Sequence, residues 1–267
     1  MSESLVSTRT VGVLHYISLN RPSKRNAVTM EMLAQLESAF RHADQQTGVR
    51  AILVTAEGPI FSAGVDVLGL AQMRAEAGDQ NPSRWLRRVA EQMQQTLNVI
   101  ESTEVPVIGV LHGQVLGLGL ELALSFDFRV ATSDCKLGLP ETRLGLIADV
   151  GGTTRLTKLV GPSRTKDLLM TARTVSAEEA LQWGLVNRVA SPDQALTEAE
   201  KLAGQISANA PIAVGLAKLV VDQGDGLPKH TQMAIERWAQ SQLIATDDLG
   251  EAFGAFMEKR PPVFKGK

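Results

Sequence analysis

The chain has 267 residues, 44% of them hydrophobic, with 27 basic and 29 acidic side chains and a formal charge of −2 at pH 7. Its 23 glycines are too few and too aperiodic for a collagen-like or low-complexity chain, and the apolar share is enough to fill a globular core. A balance this close to neutral excludes the broad basic field that nucleic acid or an anionic membrane attracts, so neither partner is expected. The densest basic cluster, Arg84, Arg87 and Arg88, reads as the solvated face of one helix. A single Cys135 rules out an intrachain disulfide, and with four scattered histidines it offers no metal-ligand spacing. The apolar run Val105 to Leu111 is far shorter than the ~20 residues of a membrane span. Met1 to Val11 has no apolar stretch after a basic start, so no secretory signal is expected and the expected location is cytoplasmic.

In chain order, Val11, Val13, His15, Ile17 and Leu19 alternate at period two and predict a strand ended by Arg21-Pro22-Ser23. Met30, Leu33, Leu36 and Phe40 then recur at helical spacing. A second strand is predicted over Ala51 to Thr55, a third extended piece over Ile60 to Ala63, a helix over Trp85 to Ile100 and a buried strand over Val105 to Leu111. Eight of the 23 glycines fall within the 44 residues from Gly109 to Gly152. Ser176 to Glu179 reads as a capping box, and Ser191-Pro192 as a helix start with Pro in its first turn. Helical patterns alone follow Ser191. The reading is therefore an α/β part over 1–190 and an all-helical part over 191–267, which would pack on the main body or on another subunit.

Three segments carry candidate chemistry. Phe61-Ser62-Ala63-Gly64-Val65-Asp66 is a small-residue loop after an extended stretch. His112 to Leu122 runs a strand into glycines and then into a helix over Leu120 to Ser125. Leu139 to Thr153 holds Glu141 and Asp149 among leucines and glycines. Glycines between a buried strand and a helix let the backbone bend closely and leave the first helical N–H groups free, a setting that stabilises negative charge. Glu121, in the first turn after Gly119 among apolar residues, would be desolvated toward a pKa useful for general acid or base work, and Glu141 is framed in the same way. Other readings stand beside these: Glu121 as a dipole-favoured helix acid, Glu141 as a surface turn residue, Asp149 as the cap of the helix that follows. A dinucleotide fingerprint fails because Leu122 stands at the third glycine position, and Ser62 lacks the glycines of a hydrolase elbow.

Together with Asn20-Arg21-Pro22, Lys24 to Ala27, Gly151 to Leu156, Ala177 to Val186 and Glu258-Lys259-Arg260, these segments resemble the crotonase superfamily of enoyl-CoA hydratases and isomerases. The resemblance implies a spiral of ββα units followed by a helical trimerisation region, in a homotrimer or a dimer of trimers. It implies an acyl-CoA thioester substrate and no separate cofactor, CoA being part of the substrate. It places oxyanion-hole N–H groups at Val65 and Leu118, where relatives commonly carry glycine at the Leu118 position. It places CoA contacts at Lys24, Arg25, Ala27, Ala63, Val65, Asp66 and Val67, and likens Phe264-Lys265 to a segment reaching a neighbouring subunit's CoA. The implied reaction is reversible hydration of a trans-2-enoyl-CoA by Glu121 and Glu141. Ala148-Asp149-Val150-Gly151 instead resembles the dienoyl-CoA isomerase branch, which would use Glu141 and Asp149. A non-catalytic acyl-CoA or RNA-binding member is the remaining alternative.

Overall fold

The computed structural model describes residues 4–267; Met1 to Glu3, the start of the stretch read for a signal, lie outside the described residues. The main sheet begins with a hairpin, β1 (Val6–Val11) and β2 (Leu14–Leu19), antiparallel with Val6 opposite Leu19 and Val11 opposite Leu14. After α1 (Met30–Gln45), β3 (Ala51–Ala56) adds parallel to β2. Helices α2 (Val67–Glu76) and α3 (Pro82–Glu101) lead to β4 (Val107–Leu111), again parallel. The chain then leaves the sheet for β5 (Gln114–Leu116) and α4 (Leu118–Ala123), and returns as β6 (Phe128–Thr132) beside β4. A second excursion holds β7 (Lys136–Gly138), a 3-10 turn over Pro140–Leu144, α5 (Gly152–Val160), α6 (Pro162–Thr171), β8 (Thr174–Ser176) and α7 (Ala177–Trp183). β9 (Arg188–Ala190) closes the order β1-β2-β3-β4-β6-β9, while β5-β7-β8 form a second, three-stranded sheet.

Strand periodicity decides what covers each face of the main sheet. Ile17, Leu19, Ile52 and Val54 point toward α1 and α3, where Leu33, Leu36, Phe40, Met93, Leu97 and Ile100 are buried in one core. Tyr16, Leu53, Ile108 and Val130 point the other way. They meet Ala195, Ala199 and Ala203 of α8 (Ala195–Ser207). The first helix of the all-helical part thus seals the sheet's second face, with small residues that let it lie close. It starts at Ala195 rather than at Pro192, because Ser191 O accepts from both Gln194 N and Ala195 N in a preceding turn.

The predicted extended piece at Ile60 to Ala63 pairs only at Ser62, through a parallel bridge to Val115 on the edge of the small sheet. The capping box at Ser176 is half formed. Ser176 Oγ accepts from Glu179 N at 3.2 Å, whereas the Glu179 carboxylate turns to Arg173. Beyond α8, α9 (Pro211–Gly224) is held by a nearly buried pair of Lys218 with Asp127, 2.8 Å apart at the start of β6. α10 (Lys229–Leu243) packs on α9, and α11 (Asp247–Glu258) ends the regular structure. The remaining residues double back, with the Asp248 carboxylate accepting from Lys265 N at 2.6 Å and Gly266 N at 2.8 Å.

Candidate active site

The site forms where the chain twice steps off the main sheet. Phe61 N donates to His112 O and Ser62 N to Gln114 O, while Leu116 N donates back to Ser62 O at 3.0 Å. This lays the Ser62 to Val65 loop along β5 and the start of α4. The approach demands glycine: a Cβ at Gly119 would sit 2.6 Å from Ser62 Cβ, and one at Gly64, whose φ is +100, would sit 3.0 Å from Leu116 O. Gly117, at φ 52 and ψ −129, turns the strand into α4, which therefore begins at Leu118 rather than at the expected Leu120. Leu118 N is a first-turn donor of α4 and Val65 N lies on the adjoining loop. Neither has a hydrogen-bond acceptor among the described residues, and both residues line one cavity of about 280 Å³.

Three carboxylates line the same cavity. Glu121, in the first turn of α4, is only 2% exposed. Its Oε1 accepts from Val150 N at 2.8 Å and Gly152 N at 2.9 Å. Burial pushes its pKa up to about 7; the two N–H groups pull the other way, and the Glu141 and Asp149 charges add to the rise. Glu141 rides on the 3-10 turn over Pro140–Leu144, which Gly145 ends in the left-handed region. A Cβ on Gly117 would lie 2.9 Å from Glu141 Oε1, so the carboxylate sits directly over that glycine. Glu141 Oε2 is buried without a partner, and burial, reinforced by the Asp149 charge, raises this group as well.

Asp149 does not cap α5. The N-cap is Gly151, with no side-chain cap bond, and Glu121 takes the N–H groups around that turn instead. Burial raises the Asp149 carboxyl above its ordinary value. Its backbone is fixed from α3, where Gln94 Nε2 donates to Asp149 O at 2.5 Å. Arg155 adds a second tie, reaching Val150 O from one side and Glu101 on α3 from the other. Gln94 is not signalled in the sequence, because a polar residue on an amphipathic helix has no periodic mark to set it apart, and Arg155 stands out there only as part of the Gly151 to Leu156 run, without this role.

The residues named for CoA lie together at one edge of the cavity. Ala63 N donates to Arg25 O, Val28 N to Gly64 O and Asp66 N to Val28 O, so residues 25–28 run beside 63–66. Arg25 and Asn26 hold positive φ values of 51 and 49, stabilised by the buried Asn26 side chain, which donates to Glu57 O and Ile60 O. Lys24 and Arg25 are exposed and make no ion pair among the described residues; Ala27 and Ala63 are half-buried and Val67 is exposed. Both Asp66 oxygens are already engaged. One caps α2 through Gly69 N at 3.1 Å, the other accepts from Arg21 at 2.8 Å, and together these bonds hold the carboxyl below its usual range. Phe264 is tied to the main body by Arg50, which donates to its carbonyl at 2.5 Å.

A family profile described as enoyl-CoA hydratase/isomerase matches residues 9–267. The chain belongs to the enoyl-CoA hydratase/isomerase family. The crotonyl-CoA hydratase of Syntrophomonas wolfei subsp. wolfei is 36% identical over 95% of each chain, and the 2,3-dehydroadipyl-CoA hydratase of Escherichia coli is 33% identical over the whole of both. A crystal structure of enoyl-CoA hydratase from Bacillus anthracis superposes with a TM-score of 0.91 at 34% identity, covering 99% of this chain and 100% of that one. This hydratase/isomerase membership bears out the crotonase fold expected from the motifs, and it makes the chain an enzyme of this kind, which removes the non-catalytic alternative.

Proposed function

We propose that the chain is an enoyl-CoA hydratase that adds water reversibly to a trans-2-enoyl-CoA. The observation that carries this reading is a pair of carboxylates, the buried Glu121 and the half-buried Glu141, lining one cavity beside two N–H groups with no acceptor among the described residues. The thioester oxygen would accept from Val65 N and Leu118 N. There it becomes an enolate oxygen when electrons move out of the double bond, and each such donor is worth about 10² to 10³ in rate. Burial raises both carboxyls of this pair, Glu121 to about 7 with the Glu141 charge adding to the rise, and the reaction starts from one ionised and one protonated member. The ionised member takes a proton from water as its oxygen bonds to C3. The protonated member gives its proton to C2 as the enolate collapses, and the two exchange states over one turnover. Lys24 and Arg25 would meet the CoA phosphates, beside Ala27, Ala63 and Val67, while Asp66 holds α2 in place. Water, carboxylates and backbone donors supply this chemistry without a separate cofactor.

One observation favours a second reading. The Asp149 carboxylate lines the cavity and is not spent on a helix cap, as the dienoyl-CoA isomerase alternative with Glu141 requires. A 3,5-dienoyl-CoA separates the two. Under the hydratase reading, crotonyl-CoA loses its enoyl absorbance on adding enzyme and the 3,5-dienoyl ester is left unchanged. Conversion of the dienoyl ester to its 2,4-isomer, abolished by Asp149→Asn, would establish the isomerase instead.

A further inference from the structure

The acyl cavity has a one-sided chemistry. Among the described residues its only titratable lining groups are Glu121, Glu141 and Asp149, and no lysine, arginine or histidine lines it. The remaining wall is aliphatic: Leu86, Val89, Ala90 and Met93 come from one face of α3, and Leu146 and Ile147 follow the 3-10 turn. Leu86, Leu146 and Ile147 form the exposed rim of this wall, at 37%, 43% and 68% exposure. The cations on the neighbouring elements stay outside this lining: Arg21 pairs with Asp66, Arg155 with Glu101 and Arg74 lies against Trp85, while Arg84, Arg87 and Arg88 on α3 and Arg143 on the 3-10 turn are exposed to solvent.

A substrate tail entering this space meets two conditions. An aliphatic end covers the exposed Leu86, Leu146 and Ile147 and removes apolar surface from water. A terminal carboxylate would instead be desolvated with no lining cation to pair it, beside three acidic groups that burial already raises. Building on the acyl-CoA reading of this cavity, we propose that it selects an uncharged aliphatic acyl chain and rejects chains that end in a carboxylate. The three carboxylates thus act on selectivity as well as on chemistry, since the like charge that raises them also repels an anionic tail.

The test uses ligands that cannot react, so that it does not depend on which reaction is catalysed. Hexanoyl-CoA and adipoyl-CoA share chain length and the whole CoA portion and differ in a terminal methyl against a terminal carboxylate. By titration calorimetry on the full chain at neutral pH, adipoyl-CoA is expected to bind at least about tenfold more weakly, a difference of about 1.4 kcal/mol. Leu86→Arg, which puts a cation on the exposed rim without opening the core, is expected to narrow that ratio. A wild-type ratio below tenfold, binding of neither ester, or a ratio untouched by Leu86→Arg overturns the proposal. Failure of hydration with this ratio intact would overturn the hydratase reading and leave the selectivity standing.

Discussion

Glu121 is held in place by the bonds it accepts and kept reactive by its burial. Two N–H groups fix Oε1 and favour the carboxylate, yet burial outweighs them and the group ends near 7. The same imbalance has a stability cost with a definite sign. Because the folded pKa of about 7 lies above the ordinary 4.5, the folded state binds more protons than the unfolded chain between those values. The stabilising contribution of protonated Glu121 is therefore full below pH 4.5 and lost as pH rises through 7, a span worth up to about 3 kcal/mol. Glu121→Gln keeps an acceptor oxygen and cannot ionise, so its melting temperature should exceed that of wild type by more at about pH 8 than at about pH 5. An equal difference at both pH values would show that Glu121 does not carry a raised pKa.

At the scale of elements, what the sequence showed depended on whether a signal is local. The helical stripe Leu33, Leu36 and Phe40 and the strand within Val105 to Leu111 are local patterns that form in the structure, whereas the alternation over Val11 to Leu19 is a strand only from Leu14, because Gly12, at φ 59, and Val13 turn the chain and leave Val11 on β1. The glycine cluster was legible as bent backbone, but not which side chain each glycine makes room for. Gly119 accommodates Ser62, Gly117 the Glu141 carboxylate, and Gly152 the Glu121 side chain, all contacts between distant segments. For the same reason the role of Asp149 stayed open. Only the fold shows that the N–H groups next to it are taken by a glutamate 28 residues earlier. The start of α8 was misplaced by three residues because Ser191-Pro192 opens a turn that feeds the helix, a distinction that local propensity does not make. Its place against Tyr16, Leu53 and Val130 had no sequence mark beyond a spacing of small alanines.

At the scale of the whole molecule, the polar chemistry gathers where α3, α4, the 3-10 turn and the start of α5 converge, while the helices after α8 leave apolar surface uncovered. Trp238, Ile244, Phe253, Phe256 and Met257 are each more than half exposed on or beside α10 and α11. An apolar surface of this kind is what an interface between subunits covers. We propose that these helices join copies of the chain into a trimer or a dimer of trimers. Sedimentation equilibrium should then give three or six times 28.7 kDa, and a monomer across micromolar concentrations would contradict it. The charge of −2 takes on a more specific meaning in this arrangement. CoA phosphates would be met by the unpaired Lys24 and Arg25 at the cavity edge rather than by a field over the whole surface.

The central claim is that Glu121 and Glu141 work as one proton-sharing unit on an enoyl thioester. Its most direct test is kcat/KM for crotonyl-CoA hydration by wild type, Glu121→Gln, Glu141→Gln and the double variant. Each single change is expected to lose about 10² to 10⁴ in rate, and the double variant little more than the worse single one, because either loss breaks the same proton exchange. Single variants that retain wild-type hydration, or losses that multiply fully in the double variant, would contradict it.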